Sequence, residues 1–330
     1  MKKYKIALDC MGFENDPKEA IKAAIDYNKK HPNVCFVLHG NKEIFEPYVD
    51  KLSDSFSYVH TTDVVVMTDT PISVRSKTNS SMYRAIEAVS KNEADAVLSA
   101  GSTAAYVALT YSLLNKIHPL IKPGFMSWVP TIDRKGFYFL DVGASKEFSG
   151  SELYYLGLIA NEFVKATKKL ANPRVGVLNI GTEENKGFKY HYDAHQLYKA
   201  NNSINYIGFL EPRELIQGSC DILVSDGYSG NLVLKSLEGS IKAVGKILKR
   251  NYKINPLAAL FSLNIIRSIY KTFDYKNNAG AVVLGLSKIA LKTHGSADYK
   301  QFYSSIRLAH EMLDNDLIKI LKEKTSFLDQ

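Results

Sequence analysis

Short apolar runs alternate with stretches of helical periodicity along most of the chain. Ile6 to Leu8, Val34 to Leu38, Ala96 to Ser99, Phe137 to Leu140, Val175 to Asn179, Ile204 to Phe209 and Ile222 to Val224 read as strands, and helical patterns separate most of them. That alternation predicts an α/β fold, a largely parallel sheet with helices on both faces. Helix starts are marked by Asp16-Pro17 with Glu19, by Ser149 with Glu152, and by Asn255-Pro256, combinations that supply a capping side chain or a proline to the first turn. With no repeat, low-complexity tract or flexible linker in the sequence, residues 1–330 are expected to form a single interlocked α/β domain. A second lobe sharing the sheet is allowed from about residue 149 onward.

The ends of the apolar runs carry the candidate chemistry. Leu8-Asp9-Cys10-Met11-Gly12, Leu98-Ser99-Ala100-Gly101-Ser102-Thr103, Leu140-Asp141-Val142-Gly143-Ala144 and Leu178-Asn179-Ile180-Gly181-Thr182 all finish in small or polar residues. Ligands of open parallel sheets bind at the carboxyl edge of the strands, so these endings suggest a shared cleft. After Val224 the run passes through Ser225-Asp226-Gly227-Tyr228-Ser229-Gly230-Asn231 into a long helical pattern. Glycines there would let N–H groups at the helix start face an anion such as phosphate. Gly101-Ser102-Thr103 opens another helix, where the hydroxyls either hold an anion or cap the helix. The loop Thr182 to Gly187 offers Lys186 as a mobile point charge, and His294, in a Gly/Ser turn, is a candidate acid, base or phosphate ligand. His191 and His195 have i, i+4 spacing but lack the glutamate of the zinc protease motif, and are read as a surface pair.

Composition narrows the partner. The chain has 45% apolar residues and a net charge of +8, which favours an anionic partner: phosphate, an acidic carrier protein, an anionic membrane surface or nucleic acid. Zinc spacing, an RNA-recognition signature and an arginine-rich block are all missing from the sequence, so nucleic acid is not expected. Cys10, Cys35 and Cys220 sit in apolar contexts and read as reduced thiols of a cytosolic protein. The first residues read as a strand and not as a signal peptide, so a cytoplasmic location is expected. The dinucleotide, P-loop and nucleophile-elbow fingerprints are absent, which weakens dehydrogenase, NTPase and serine hydrolase readings. Residues 255–271 are too short and interrupted to span a bilayer. They read equally as a core helix, a subunit-interface helix, or a helix resting on an anionic membrane beside Lys249, Arg250, Lys253 and Lys271.

Taken in order, Ile6 to Gly12, Ser80 to Met82 with Ala94 to Gly101, Leu140 to Ala144, Val175 to Glu184 with Lys186-Gly187, Asp226 to Asn231 with Leu234-Lys235 and Glu238-Gly239, and Thr293 to Gly295 resemble the PlsX family. These are the phosphate acyltransferases of bacterial phospholipid synthesis, and the resemblance runs end to end. It implies an isocitrate/isopropylmalate dehydrogenase-like (phosphotransacetylase-like) fold and transfer of a long-chain acyl group from acyl carrier protein to inorganic phosphate. It also implies a homodimer and peripheral membrane association. Some loops depart from the family pattern: Asp9 is followed by Cys10-Met11-Gly12-Phe13 instead of Ala-Met-Gly-Gly, and Gly101 by Ser102-Thr103-Ala104 instead of Asn-Thr-Gly.

On this reading phosphate attacks the thioester directly. Lys186, His294, Asp226 and Asp9 are the expected catalytic and orienting groups, with Gly101, Ser102, Thr103, Gly227, Ser229, Gly230, Asn231 and Lys235 holding phosphate and thioester. No cofactor and no metal is expected. Three alternatives stay open: a phosphotransacetylase-like enzyme using coenzyme A thioesters, a catalytically silent scaffold for carrier protein or membrane, and a dehydrogenase of the same fold group.

Overall fold

The computed structural model describes residues 2–254 and 256–329. Its strands are β1 (Tyr4–Asp9), β2 (Val34–Gly40), β3 (Phe56–His60), β4 (Ala96–Ser99), β5 (Gly124–Val129), β6 (Phe137–Leu140), β7 (Arg174–Leu178), β8 (Asn205–Leu210), β9 (Ile222–Val224), β10 (Ala281–Leu284) and β11 (Ile289–Lys292). The chain divides into two compact units.

The first unit comprises Met1–Ser127, Leu158–Ala171 and Lys276–Gln330. Its strand order is β3-β2-β1-β4-β11-β10-β5. Every pairing from β3 to β11 is parallel, whereas β10 runs antiparallel to both β11 and β5. Because β1 lies between two parallel neighbours under helices, Ile6, Ala7 and Leu8 are all fully buried, which explains an apolar run without alternation. The Lys18–Lys30 helix buries Ala20, Ile21, Ala23, Ala24, Ile25 and Tyr27 along one face. It meets the Tyr299–Asp314 helix through Tyr27, whose ring is 5.1 Å from that of Tyr303 and whose hydroxyl is 2.9 Å from His310 Nδ1.

The second unit comprises Trp128–Gly157 and Asn172–Tyr275. Its strands run in the order β6-β9-β7-β8, all parallel. Arg174 opens β7 and grips Asp221 just ahead of β9, with Nη2 3.0 Å from Oδ1 and Nε 3.1 Å from Oδ2. The Gly150–Lys168 helix begins with the reciprocal cap expected from Ser149 and Glu152: the Ser149 N–H donates to Glu152 Oε2 at 2.7 Å, and the Glu152 N–H to Ser149 Oγ at 3.2 Å.

All seven strands read from the sequence are present. Four others were not read. In β3 the edge position leaves Ser57 and Tyr58 exposed and removes any continuous apolar run. The antiparallel β10 and β11 are only four residues each, separated by Gly285, whose φ is +98°. Asp16 Oδ1 accepts from the Lys18 N–H at 2.9 Å, but Glu19 accepts instead from the Tyr299 N–H, also at 2.9 Å. Asn255, assigned a cap from the sequence, lies outside the described residues.

The helices Gly227–Ile254 and Pro256–Thr272 follow one another. Among described residues, no helix is long and apolar enough to cross a membrane. The core-helix reading of residues 255–271 does not hold: Phe261 is 86% and Ile265 63% exposed in the single chain. The polar face of that helix has a local role, since Arg134 donates to Ser268 Oγ at 2.8 Å and to Thr272 Oγ1 at 3.0 Å.

Candidate active site

In the first unit the parallel neighbours β1, β4 and β11 end side by side, and their last residues are Asp9, Ser99 and Lys292. Asp9 is fully buried. The Ser99 hydroxyl donates to its Oδ2 at 2.6 Å, the Met11 N–H to its Oδ1 at 3.3 Å, and the Ser81 hydroxyl also donates to it. Ser99 Oγ in turn accepts from the Gly101 N–H at 3.0 Å. Asp9 thus ties the ends of two strands to the turn that opens the Thr103–Leu113 helix.

Burial raises the Asp9 carboxyl to about 6, against the opposing pull of the Ser81, Ser99 and Met11 hydrogen bonds and of Lys292. Lys292 is itself buried and donates to the Thr293 carbonyl at 2.7 Å, and the buried Thr293 Oγ1 has no hydrogen-bond partner among the described residues. Lys292 lies close enough to Asp9 to lower its pKa, a pairing not read from the sequence. Its signal was a lysine closing an apolar run directly before Thr293-His294-Gly295.

Ser102 stands at the N-cap position of the Thr103–Leu113 helix, buried, yet its side chain makes no capping hydrogen bond. The plain capping reading is therefore absent, and the hydroxyl remains available at a helix N-terminus, where anions are favoured. Thr103 is exposed. His294 is exposed too, with Nδ1 2.8 Å from Ser296 Oγ and accepting the Ser296 N–H at 3.2 Å. An accepting Nδ1 puts the proton of the neutral ring on Nε2.

Asp9 yields a pH prediction. A carboxyl whose folded pKa of about 6 exceeds its reference of 3.8 contributes stability that is full below 3.8 and lost as pH rises through 6. The shift corresponds to roughly 3 kcal/mol at most. Asp9→Asn should therefore gain thermal stability relative to wild type between pH 4 and pH 7, by about 1 to 3 kcal/mol. His39, pushed down to about 4 chiefly by burial, destabilises on acidification in both proteins and cancels in the difference. Melting curves at pH 4, 5.5 and 7 check this, and a pH-independent difference would contradict the buried-carboxylate account.

In the second unit two buried aspartates organise the loops. The Asp141 carboxylate accepts N–H donations from Gly143 at 3.0 Å, Ala144 at 3.0 and 3.1 Å, and Ser145 at 2.8 Å, filling the nest made by its own turn. Asp226 Oδ1 accepts the Ser229 N–H at 2.8 Å, its carbonyl accepts the Gly230 N–H at 2.9 Å, and its Oδ2 accepts the Tyr190 hydroxyl at 3.2 Å. The Gly227 N–H donates to the Ser145 carbonyl at 3.0 Å.

The anion cradle read around Gly227 to Asn231 is thus largely occupied by the chain's own oxygens. The glycines there answer a different need, close packing: a Cβ on Gly227 would lie 2.2 Å from the Ser145 carbonyl oxygen, and one on Gly230 1.9 Å from that of Asp141. Ser229 is half-buried and Asn231 exposed, the Asn231 amide nitrogen 3.4 Å from where a Gly143 Cβ would be. Lys235 lies two turns along the helix, exposed, and pairs with Glu238 at 3.2 Å, away from the Gly227 turn.

Lys186 is exposed in the loop after β7. Its N–H donates to the Glu183 carbonyl at 3.1 Å, and its own carbonyl accepts from Asn179 Nδ2 at 3.1 Å. The histidines that follow are buried, not superficial. His191 Nδ1 accepts the Phe188 N–H at 3.1 Å, and burial holds its pKa below the usual value. His195 bridges Tyr206 Oη at 2.7 Å and Glu184 Oε1 at 3.2 Å. Their i, i+4 spacing points them inward from the helix under aromatic neighbours, Tyr190 over His191 at 4.2 Å and Phe209 against His195 at 4.6 Å. Among described residues no cluster of His, Cys, Asp or Glu fits a metal ion. All three cysteines are free, and burial pushes the Cys220 thiol up to about 12 and Cys10 well above its ordinary value, which disfavours thiolate chemistry at either.

Comparison with known proteins identifies the family. A family profile described as fatty acid synthesis protein matches residues 4–320. The chain is 60% identical over 328 residues to the phosphate acyltransferase of Mycoplasmoides gallisepticum, covering 99% of this chain and 100% of that one. It is 54% identical over 319 residues to the phosphate acyltransferase of Mycoplasma genitalium, covering 97% of each. Among solved structures it is similar to a phosphotransacetylase from Streptococcus pyogenes, with a TM-score of 0.61 at 15% identity over 94% of each chain, a likeness of fold that bears out the expected class. With the profile spanning nearly the whole chain and relatives this similar over their full length, the chain belongs to the fatty acid synthesis protein family that includes the phosphate acyltransferases.

Proposed function

We propose that this protein is a phosphate acyltransferase that moves a long-chain acyl group from the thioester of acyl carrier protein to inorganic phosphate. A phosphate oxygen attacks the thioester carbonyl and forms the C–O bond, then the C–S bond breaks and the carrier thiolate takes up a proton. Both reactants are already reactive, so the protein's work is positioning and charge stabilisation. The observation that carries this reading is the 60% identity, end to end, to a phosphate acyltransferase.

In the first unit, Ser102 with the first N–H groups of its helix and His294 are assigned to anion binding, with Asp9 orienting their turns; in the second unit, Lys186 is assigned to offset anionic charge, with Asp226 orienting its turn. Their placement supports the assignment: Ser102 does not cap its own helix, and Asp9 and Asp226 are each held by two or more donors. The protein works in the cytoplasm as a homodimer and touches an anionic membrane surface through the region of residues 255–271, where exposed Phe261, Ile265 and Tyr270 support such contact.

The decisive experiment incubates the protein with palmitoyl-acyl carrier protein, with and without phosphate, and follows acyl phosphate and free carrier by mass spectrometry. Phosphate-dependent acyl phosphate is expected. Turnover of acetyl-coenzyme A instead would transfer the reading to a phosphotransacetylase, and an intact thioester with folded protein would leave a carrier-binding scaffold. In parallel, flotation with phosphatidylglycerol vesicles should show binding that weakens with salt, and sedimentation equilibrium should give the dimer mass. No flotation at any ionic strength, or a monomer, would remove those two parts.

A further inference from the structure

We infer that Asn179 is the positioning residue for Lys186, an inference that rests on the role just proposed for that lysine. Asn179 follows β7 and is 3% exposed. Its main-chain N–H donates to the Leu210 carbonyl at 3.0 Å, which fixes the residue to the end of β8. Its side chain then closes the loop at both ends: Oδ1 accepts the Ile180 N–H at 2.9 Å where the loop leaves, and Nδ2 donates to the Lys186 carbonyl at 3.1 Å where it returns.

Two glycines make the clasp possible. Gly187 has φ +85°, and a Cβ there would lie 2.3 Å from Asn179 Oδ1 and 2.9 Å from His191 Nδ1; a Cβ on Gly181 would lie 3.1 Å from Lys186 Cγ. Lys186 therefore has both its main-chain polar groups held while its side chain stays exposed.

Three lysines lie on the loop and the helix behind it. Lys189 pairs with Asp193 at 2.7 Å and Lys199 with Glu184 at 2.7 Å. The neighbouring carboxylate of Glu184 is held twice, by Lys199 and by His195. Among the described residues the Lys186 ammonium makes no hydrogen bond or ion pair. A cation fixed at its backbone and exposed at its side chain is suited to an anion from outside, and a misplacement of about 1 Å can cost on the order of 100-fold in rate.

The test uses Asn179→Asp, which keeps the acceptor for Ile180 and deletes the donor to Lys186, and Asn179→Ala, which removes the donor without adding charge. Both are combined with Lys186→Ala in double-mutant cycles on the full-length protein, reading kcat and KM for phosphate alongside the melting temperature. Each Asn179 variant should lower kcat/KM for phosphate roughly 10 to 100-fold, chiefly through KM, and should melt below wild type because a buried side chain that makes two hydrogen bonds is lost or changed. In the Lys186→Ala background the same changes should add nothing. Wild-type kinetics in the Asn179 variants, or losses that persist fully without Lys186, would overturn the positioning role while leaving the Lys186 reading intact. Wild-type kinetics in Lys186→Ala would overturn both, which keeps the two failures distinct.

Discussion

Lys186→Ala should lose about 100 to 1000-fold in kcat/KM for phosphate with little change in melting temperature, the size of effect seen when one preorganised donor to a developing oxyanion is removed. The lysine is exposed and makes no ion pair among the described residues, so its removal leaves no buried partner unsatisfied and stability has no reason to fall. Lys189→Ala is the internal control. It lies three residues away, carries the same charge, and is engaged with Asp193 on an exposed helix face, where such pairs contribute only about 0.3 to 0.5 kcal/mol. If both variants lose activity equally, the effect is one of general positive potential and Lys186 has no specific role. His294→Ala should also be slow, and near-wild-type turnover in both Lys186→Ala and His294→Ala would remove the charge-stabilising assignment.

The second large effect is on folding. Gly230→Ala should destabilise the protein by about 3 kcal/mol, at the upper end of ordinary overpacking, because the new Cβ would fall 1.9 Å from the Asp141 carbonyl oxygen and 3.1 Å from its carbonyl carbon. That backbone cannot easily retreat. The Asp141 N–H donates to the Ser225 carbonyl at 2.9 Å, the Ser225 N–H to the Leu140 carbonyl at 2.7 Å, and the Asp141 carboxylate holds the following turn. Gly239 lies in the same helix with nothing within 4 Å of where its Cβ would be. Gly239→Ala should accordingly stabilise by about 0.5 to 1 kcal/mol through helix propensity alone. Thermal melts of the two single variants compare a helical glycine required by contact with one that is merely tolerated, and equal melting temperatures would refute the close approach.

Gly227 and Gly230 mark the limit of what could be read along the chain. Gly227 and Gly230 were legible as a turn opening a helix, and the turn and helix are there. Their purpose was not legible. An anion cradle and a tight packing contact demand the same residue type, and only the structure shows that the Gly227 N–H is taken by Ser145 of the Asp141 loop and the Ser229 and Gly230 N–H groups by Asp226. Ser102 shows the converse. Its sequence context suits a routine cap, yet the structure leaves its hydroxyl unused by the helix. His191 and His195 were misplaced at the surface because the spacing of two histidines does not say which helix face is covered, and Phe209 and Tyr206 cover it.

By itself the sequence determined the α/β class, seven of the strands, the Ser149 helix start and membership of the family, since each depends on residues that are neighbours in the chain or on an ordered series of short motifs. Only the tertiary structure decided which polar groups meet. Asp9, Ser99 and Lys292 are separated by 90 and 193 residues and come together because β1, β4 and β11 are adjacent in the sheet. Asn179 closes on Lys186 because Leu210 anchors it at the end of β8 and Gly187 takes up a positive φ. A hydrogen bond depends on separation in space to within a few tenths of an ångström, and strand order, set by packing the whole core, is what places those groups within reach.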